Sequence, residues 1–256
     1  MIFHPENPII GRAQNSVGEP LSLSLVIPLF NEQENIRKVV VPIIRTLETF
    51  VDSYELILVD NGSRDGTRGE IEAVRAEFPK VVLVPIDENQ GYGGGILSGL
   101  DVARGEFLGY LAGDGQIPAL DIIKVYEYCV FGHYPCTKVY RAIRGDGLKR
   151  KLISFLYNQL FRVMFRTRHR DVNGTPKIFR REVYERLQLQ RRDWFIDAEF
   201  ILKAETLGIE ILEVPVTFLP RTGGASKVDF GTMFEFLKNM CVLRWQRRAP
   251  GDRLNP

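Results

Sequence analysis

The sequence predicts an α/β fold with a mostly parallel central sheet that is flanked by helices. Short apolar segments alternate along the chain with longer segments of helical periodicity, as is typical of βαβ units. Two of the apolar segments, residues 55–59 and 107–112, run directly into a turn that carries an aspartate and glycines. Open α/β sheets bind ligands where parallel strands end, so these two turns are candidate site elements.

The first half of the chain alternates regularly between the two kinds of segment. Strands are predicted where apolar residues form short continuous runs, at residues 23–28, 56–59, 81–85 and 107–112. Helices are predicted between them, over residues 31–50, 67–77 and 96–103. The first helix carries an apolar face made by Ile36, Val39, Val40, Ile43, Ile44 and Leu47. A glycine-rich loop at residues 89–95 precedes the third helix.

The second half contains two segments that combine basic and bulky apolar residues. A basic amphipathic helix is predicted over residues 147–170, a strand over 210–216, and a second amphipathic helix over 230–245. Core packing on one face and solvated charge on the other explains such helices. A basic face beside bulky apolar side chains is also what a helix at a membrane surface requires.

The domain organisation predicted from these segments has three parts. Residues 1–20 form an N-terminal arm, residues 21–229 form one α/β domain, and residues 230–256 form the C-terminal amphipathic helix with a basic tail. One domain is favoured over two because no linker rich in Pro, Gly or Ser interrupts the middle of the chain.

Composition narrows the class of protein and of partner. The 256 residues are 45% hydrophobic and 26% charged, which is typical of a globular protein, and the net charge of +2 does not favour nucleic acid as a partner. The three cysteines form no disulfide framework, and the three histidines are too scattered for a zinc site. No signal segment opens the sequence, and no apolar run reaches the ~18 residues of a membrane span. We therefore expect a reduced, cytoplasmic protein that is soluble or lies on a membrane surface.

The turn after the fourth predicted strand is a candidate metal site. Asp114 follows the apolar run, and Gln116 lies two residues beyond it. Mg²⁺ takes oxygen ligands and is usually held by one or two protein groups together with substrate phosphate oxygens. Asp114 and Gln116 can supply a carboxylate and an amide oxygen to such an ion.

The order of four motifs resembles that of family 2 glycosyltransferases, which have the GT-A fold and use nucleotide-sugar donors. VIPLFNEQENI at residues 26–36 is similar to their opening strand and loop, and VDNGSRDGT at residues 59–67 to their second motif. NQGYG at residues 89–93 resembles the third, and GDGQ at residues 113–116 the metal motif that is usually written D-x-D.

A longer resemblance extends to the branch that transfers a hexose to polyprenyl phosphate, which includes the dolichyl-phosphate mannosyltransferases. The matching segments are RAIR at residues 141–144, LISFLYNQLFR at 152–162, DVNGTPKIFRR at 171–181 and PRTGGASK at 220–227. The resemblance covers roughly residues 21–230 and implies transfer from a GDP- or UDP-hexose to a lipid phosphate, with Mg²⁺ or Mn²⁺ as cofactor.

The resemblance implies a role for each candidate residue. Asp60 and Asn61 would bind the base or ribose, and the glycines of residues 91–95 would let the backbone approach a ligand closely. The residues implied in nucleotide-sugar binding are Pro28, Phe30, Glu32, Val59, Asp60, Asn61, Gln90, Gly91, Gly93, Ala112, Gly113, Asp114, Arg221 and Lys227. Arg221 and Lys227 would lie on a mobile loop and add positive charge at the donor phosphates.

The acceptor side is assigned in the same way. Arg141 and Arg144, with Lys177, would hold the acceptor phosphate, which is itself a competent nucleophile near neutral pH. Asp197 lies where many family members carry a catalytic acid, and it would serve as base for a hydroxyl acceptor. Asp197 could equally cap a helix.

Two departures from the family pattern leave alternatives open. Ala112 stands where the closest branch has the first aspartate of the metal motif, and Asn61 stands where a second acid is usual. The loss of one carboxylate should weaken metal binding. One alternative is a soluble transferase that acts on a sugar or small-metabolite hydroxyl, and another is a nucleotide-sugar-binding module without turnover.

Overall fold

The central sheet has seven strands in the order β3-β2-β1-β4-β6-β5-β7. A computed structural model describes residues 22–144 and 148–220 together with Met240. The strands are β1 (Leu23–Leu29), β2 (Tyr54–Asn61), β3 (Val81–Ile86), β4 (Phe107–Tyr110), β5 (Cys136–Arg144), β6 (Lys177–Arg180) and β7 (Ile211–Phe218). β1 to β4 pair in parallel, β6 pairs antiparallel with both β4 and β5, and β5 pairs in parallel with β7. The predicted mostly parallel sheet is confirmed.

Helices connect the strands and cover both faces of the sheet. They are α1 (Ile36–Phe50), α2 (Thr67–Glu77), α3 (Gly91–Val102), α4 (Ala119–Val130), α5 (Leu148–Phe165), α6 (Arg181–Leu187) and α7 (Ile196–Thr206). Two buried apolar clusters result. One packs α1, α2 and α4 on the first face, and the other packs α3 and α7 with the end of α5 on the second face. Because the strands are covered on both sides, β1 is buried except at the half-buried Pro28 and β2 is buried throughout, without the alternation of a strand that is exposed on one face.

Some element bounds differ from those predicted. The third helix begins at Gly91, not at residue 96, so the glycines lie in its first turn. The basic helix ends at Phe165 because residues 166–169 have no regular structure, Arg166 having a positive φ of 57°. The antiparallel strand β6 gave no periodic signal in its four residues. The predicted N-terminal arm and the helix at residues 230–245 lie outside the described residues, apart from the buried Met240.

Candidate active site at the carboxyl edge of the sheet

Three parallel strands end side by side and bring two of the sequence motifs together. β1 lies between β2 and β4, with Leu29 paired to Asp60 and with the amide of Leu111 donating to the carbonyl of Val26 at 3.0 Å. From β1 the strand order runs to β2 and β3 on one side and to β4 on the other, which makes this a topological switch point. Open α/β sheets form their ligand crevice at such a point.

The turn after β2 is held by the side chains predicted to bind the donor. The buried Asp60 carboxylate accepts from Arg68 Nε at 2.7 Å and from the amide of Ser63 at 3.1 Å. Asn61 donates to the carbonyl of Gly91 at 2.8 Å and accepts from the amide of Gln90 at 3.1 Å. Both side chains therefore fix the shape of the turn, and Asn61 joins it to the start of α3.

The glycines of the third motif pack against protein backbone. A Cβ on Gly91 would lie 2.5 Å from the carbonyl oxygen of Arg192, and one on Gly93 would lie 2.8 Å from that of Asp193. The amide of Gly94 donates to the carbonyl of Arg192 at 2.9 Å. Residues 191–193 therefore pack against the first turn of α3. The segment before Asp197 thus fills the side of these glycines on which a side chain would project, and their role toward a ligand stays a prediction.

The turn after β4 is fastened to the end of β7. The Gln116 side chain donates to the carbonyl of Leu219 at 2.9 Å, and the amide of Leu219 donates to the carbonyl of Gln116 at 2.8 Å. Asp114 is partly exposed and accepts from the amide of Gln116 at 3.1 Å. Ala112 and Gly113 precede it, and a Cβ on Gly113 would lie 2.6 Å from Leu29 Cδ2. The turn therefore sits directly against the end of β1.

The ligand atoms that this turn offers suit a hydrated cation such as Mg²⁺ better than a cation held by protein groups alone. Within residues 22–144 and 148–220, no three His, Cys, Asp or Glu side chains are grouped so that they could hold a metal. Asp114 offers one carboxylate, and the buried Gln116 is committed through its amide nitrogen to Leu219. Mg²⁺ commonly keeps several waters and takes further oxygens from a bound phosphate, so one protein carboxylate suffices.

Asp197 lies in the interior and is paired with a lysine. The Lys177 ammonium donates to the Asp197 carboxylate and to the carbonyls of Val172 and Gly174 at 3.2 and 3.1 Å. Tyr110 also donates to Asp197, at 2.9 Å. Burial lowers the pKa of Lys177, and the Asp197 carboxylate opposes that shift. Asp197 and Lys177 therefore form a buried ion pair.

A stacked aromatic pair beside Asp197 was not found by sequence reasoning. The rings of Tyr92 and Trp194 lie 4.5 Å apart and within 15° of parallel. Burial raises the pKa of Tyr92 well above its ordinary value, and the carboxylates of Asp197 and Asp114 add to the increase. The Tyr92 hydroxyl is thus within electrostatic reach of both acids. The sequence signal was available, since Tyr92 lies inside the third motif.

A basic pocket opens between the end of β5 and α5. Its volume is about 880 Å³, and it is lined by Tyr140, Arg141, Ala142, Ile143, Ser154, Phe155, Asn158, Gln159, Arg162, Arg168, Arg170 and Asp171. Arg141 donates through Nε and Nη2 to the two oxygens of Asp171, both at 2.6 Å. Burial alone would raise the pKa of Asp171, but Arg141 holds it well below its usual range. The predicted acceptor residue Arg141 therefore lies in the wall of a cavity, partly neutralised by Asp171.

A network of ion pairs and hydrogen bonds around the buried Lys138 fixes the loop that forms one side of this pocket. Glu213 on β7 accepts from the amide of Arg170 at 2.9 Å and from Lys138 Nζ at 2.8 Å. Lys138 is fully buried and donates in addition to the carbonyl of Asp171 at 2.5 Å. His169 lies between Glu213 and Glu205, at 3.9 and 3.7 Å. Sequence reasoning missed this network because its members come from four separate segments.

The remaining candidate residues are placed as follows. Glu32 is buried and accepts from Asn35 Nδ2 at 2.9 Å, while its amide donates to Thr67. Pro28 lies against α3, since a Cβ on Gly95 would be 2.9 Å from it. Phe30 is half-buried and Val59 is fully buried. Arg144 ends β5, and its side chain is not described. Arg221 and Lys227 lie outside the described residues.

The sheet and the motifs at its carboxyl edge define a GT-A type of α/β fold, and solved structures agree. A mannosyltransferase from Pyrobaculum calidifontis, PcManGT, in complex with GDP-Man and Mn²⁺, matches with a TM-score of 0.63 at 18% identity, covering 90% of this chain and 64% of that chain. Glucosyl-3-phosphoglycerate synthase from Mycobacterium tuberculosis, in complex with Mn²⁺, UDP and phosphoglyceric acid, matches with a TM-score of 0.69 at 18% identity, covering 88% and 78%. These likenesses show the fold.

The sequence itself shows the family. The model of glycosyl transferase family 2 matches residues 24–188, and the chain belongs to this family. The family predicted from the four motifs is confirmed.

Curated relatives share about three residues in ten with this chain. Glycosyltransferase AglD of Haloferax volcanii is 29% identical over 217 residues, which cover 82% of this chain and 34% of AglD. The undecaprenyl-phosphate 4-deoxy-4-formamido-L-arabinose transferase of Photorhabdus laumondii is 28% identical, covering 85% and 66%. Dodecaprenyl-phosphate galacturonate synthase of Rhizobium johnstonii is 28% identical, covering 94% and 72%. The chain thus spans about a third of the first relative's length and about two thirds of the second's.

Proposed function

We propose that this chain is an inverting glycosyltransferase that moves a hexose, mannose or glucose, from a nucleotide-diphosphate sugar to a polyprenyl or dolichyl phosphate at the cytosolic membrane face. The observation that carries the proposal is the arginine-lined pocket of about 880 Å³, which is formed at the end of β5. Two of the relatives are named for transfer to or synthesis on a polyprenyl phosphate, and this supports a lipid phosphate as acceptor. The hexose comes from the resemblance to the dolichyl-phosphate mannosyltransferases.

The donor would bind across the ends of β1, β2 and β4. Pro28, Phe30 and Glu32 after β1, and Val59, Asp60 and Asn61 at the end of β2, would form the wall for the base and ribose. Gln90, Gly91 and Gly93 support this wall from α3, where Asn61 already bonds to the backbone. Ala112, Gly113 and Asp114 would face the diphosphate, with Arg221 and Lys227 closing from the other side. A GDP- or UDP-hexose is the proposed donor.

A divalent cation, Mg²⁺ or Mn²⁺, would be held by Asp114, with Gln116 fixing the turn. Structural neighbours contain Mn²⁺ or Mg²⁺ together with a nucleotide, which supports a metal in this fold. When bound, such an ion neutralises the charge that grows on the leaving diphosphate. The chain's contribution is to keep the Asp114 carboxylate partly exposed at the end of β4, where Leu219 and Gln116 lock the turn.

The acceptor phosphate would enter the pocket beside Arg141 and Arg144. One of its oxygens forms a bond to the anomeric carbon of the sugar while the bond from that carbon to the donor phosphate breaks, and the nucleoside diphosphate leaves. A phosphate monoester needs no strong base, because its second ionisation lies near pH 6. Arginine suits this role since its planar group can donate two hydrogen bonds to one phosphate.

The placement of Asp197 supports a phosphate over a hydroxyl acceptor. Its carboxylate accepts from Lys177 and Tyr110 in the interior, so it is committed to hydrogen bonds that a general base would have to share. We propose that Lys177 and Asp197 are positioning residues that fix the segments carrying them beneath the site. Lys177 is fully buried and is reassigned from the acceptor phosphate to this pair.

The outer face of α5 supports the proposed membrane association. Phe155, Leu156, Leu160 and Val163 are exposed there, Val163 to 77%. Large apolar side chains next to arginines are what a helix at a lipid surface presents. None of the helices in residues 22–144 and 148–220 is both long and apolar enough to cross a bilayer.

A transfer assay with the purified full chain tests the proposal. Polyprenyl phosphate and GDP-, UDP- or dTDP-hexoses are supplied with Mg²⁺ or Mn²⁺, and the lipid product is detected by mass spectrometry. We expect sugar-phosphate lipid from one donor, and we expect Asp114→Asn to lower the rate roughly a hundredfold, as loss of a transition-state-stabilising group does. Asp87→Asn is the matched control, since Asp87 follows β3 at the same edge and its side chain is 98% exposed.

Two results would contradict the proposal. Nucleotide binding in a thermal-shift assay without turnover of any donor would favour a non-catalytic module. Transfer to a sugar hydroxyl that is abolished by Asp197→Asn would favour the soluble transferase with Asp197 as base. With a phosphate acceptor, Asp197→Asn should lose far less activity.

A further inference from the structure

Three arginines in the wall of the pocket have no acidic partner among the described residues. In that part of the chain, no carboxylate lies within 4 Å of the guanidinium groups of Arg162, Arg168 or Arg170. Arg170 instead lies over the ring of Tyr140 at 5.0 Å and donates to its hydroxyl at 3.2 Å. Arg141, by contrast, is matched by Asp171. The positive charge of the pocket is therefore concentrated on these three residues.

The charge of the described lining exceeds what the proposed acceptor can neutralise. Four arginines and one aspartate line the pocket, so the excess is three positive charges. A phosphate monoester carries a charge between about −1.5 and −2 at neutral pH. Once the acceptor is bound, a net excess of at least about one positive charge remains, which a phosphodiester with its single negative charge balances. The proposed function assigns the acceptor phosphate to Arg141 and Arg144, so Arg162, Arg168 and Arg170 are left for this second anion.

The position of these arginines points to the source of that anion. Arg168 and Arg170 are exposed at the rim, whereas Asp171 is buried. Two apolar side chains line the same pocket in exposed positions, Ile143 at 65% and Phe155 at 57%. A rim that combines exposed apolar groups with arginines that have no carboxylate partner among the described residues matches the boundary between acyl chains and anionic headgroups.

We propose that Arg162, Arg168 and Arg170 form a second phosphate-binding subsite, which takes the phosphodiester headgroup of an anionic phospholipid at the mouth of the pocket. The subsite lies next to the one proposed for the acceptor phosphate, and this neighbour relation and the count of excess charge rest on the proposed function. The bound phospholipid holds the exposed side chains of α5 against the bilayer and the pocket open toward it.

Vesicle binding by the full chain tests the subsite without donor or turnover. Vesicles of phosphatidylcholine alone are compared with vesicles that also contain phosphatidylglycerol. The variant Arg162→Gln/Arg168→Gln/Arg170→Gln should lose affinity for the phosphatidylglycerol vesicles about a hundredfold, the amount expected for three basic residues at an anionic surface. Arg75→Gln/Arg166→Gln/Arg186→Gln removes the same charge from exposed positions outside the pocket and should retain affinity within about threefold.

The outcomes separate this inference from its rivals. Equal losses in the two triple variants, or no preference of the unmodified chain for phosphatidylglycerol, would overturn the subsite. A second arm measures the KM for polyprenyl phosphate in detergent without phospholipid. Under these conditions the variant Arg162→Gln/Arg168→Gln/Arg170→Gln should differ from the unmodified chain in this KM by less than about threefold. A large rise there would assign the arginines to the acceptor and overturn the phospholipid subsite. If the chain transfers no sugar but still prefers vesicles that contain phosphatidylglycerol, only the proposed function is contradicted.

Discussion

The ammonium of Lys177 and the carboxylate of Asp197 form an ion pair in the interior, although the sequence predicts a role at the acceptor phosphate for the first and a catalytic role for the second. Lys177 begins β6, next to β4, and Asp197 lies in the first turn of α7. The pair therefore joins the centre of the sheet to the helix layer on its second face. Two charges taken out of water together depend on each other, because either one alone is strongly destabilising.

Removal of one partner of this pair should be costly, and removal of both should be less so. We expect Lys177→Met to lower the free energy of unfolding by about 3–5 kcal/mol, because it leaves the Asp197 charge buried without its partner. The double variant Lys177→Met/Asp197→Asn should be more stable than the single one. Urea unfolding of the single and double variants measures the coupling. Additive losses would contradict a paired role.

Because Gly93 packs against residues 191–193, Gly93→Ala should destabilise the protein, whereas the same substitution at an ordinary helical glycine stabilises it. In Gly93→Ala the new Cβ would overlap the carbonyl oxygen of Arg191 and lie 2.8 Å from that of Asp193. We expect a loss of about 1–3 kcal/mol, as for overpacking. Gly69→Ala in α2 is the control, since nothing lies within 4 Å of its Cβ, and it should gain about 0.5–1 kcal/mol. Thermal unfolding of both variants checks the signs, and an unaltered Gly93→Ala protein would contradict the packing.

Substitution of Glu213 should change the KM for the acceptor more than the KM for the donor. Its carboxylate holds the amide of Arg170 and the buried ammonium of Lys138, which in turn bonds to the carbonyl of Asp171. In Glu213→Gln this loop loses its charged anchor, so we expect the KM for lipid phosphate to rise severalfold and the KM for the nucleotide sugar to stay within about twofold. Exposed Glu210, just before β7, provides the control Glu210→Gln. Equal effects on the two KM values would indicate general destabilisation.

His169 predicts a loss of stability on mild acidification. Burial, with Lys138 nearby, lowers its pKa from 6.5 to about 4. Between these values the unfolded chain binds a proton that the folded chain does not, so stability falls as the pH drops from 6.5 toward 4. The full effect is about 3 kcal/mol, at about 1.4 kcal/mol per pKa unit. His169→Gln should make the melting temperature depend less on pH over this range. His133→Asn, at an exposed position with positive φ, should leave that dependence as it is. A wild-type slope in His169→Gln would contradict this account.

The alternation of strands and helices in the first half of the chain could be predicted from the sequence because those elements carry their own signals. Continuous apolar runs mark β1, β2 and β4, which are buried on both faces, and a 3.6-residue apolar pattern marks α1. The acids and glycines that follow the runs mark the turns at the carboxyl edge of the sheet. Because these signals are local, the amino-acid sequence alone predicts that Asp60, Asn61 and Asp114 lie at one edge of the sheet.

What the candidate side chains contact was decided only by the tertiary structure. The glycines at residues 91–94 give the same local signal whether a ligand or a protein segment fills the space above them, and here residues 191–193 fill it. Lys177 and Arg141 are both basic residues of matching motifs, yet one is paired with Asp197 in the interior and the other lines the pocket. Pairings such as these join segments 20 to 102 residues apart in the chain. The sequence by itself determined the alternating α/β class and the family, because these follow from local patterns, whereas strand order, burial and charge pairing depend on which distant segments meet.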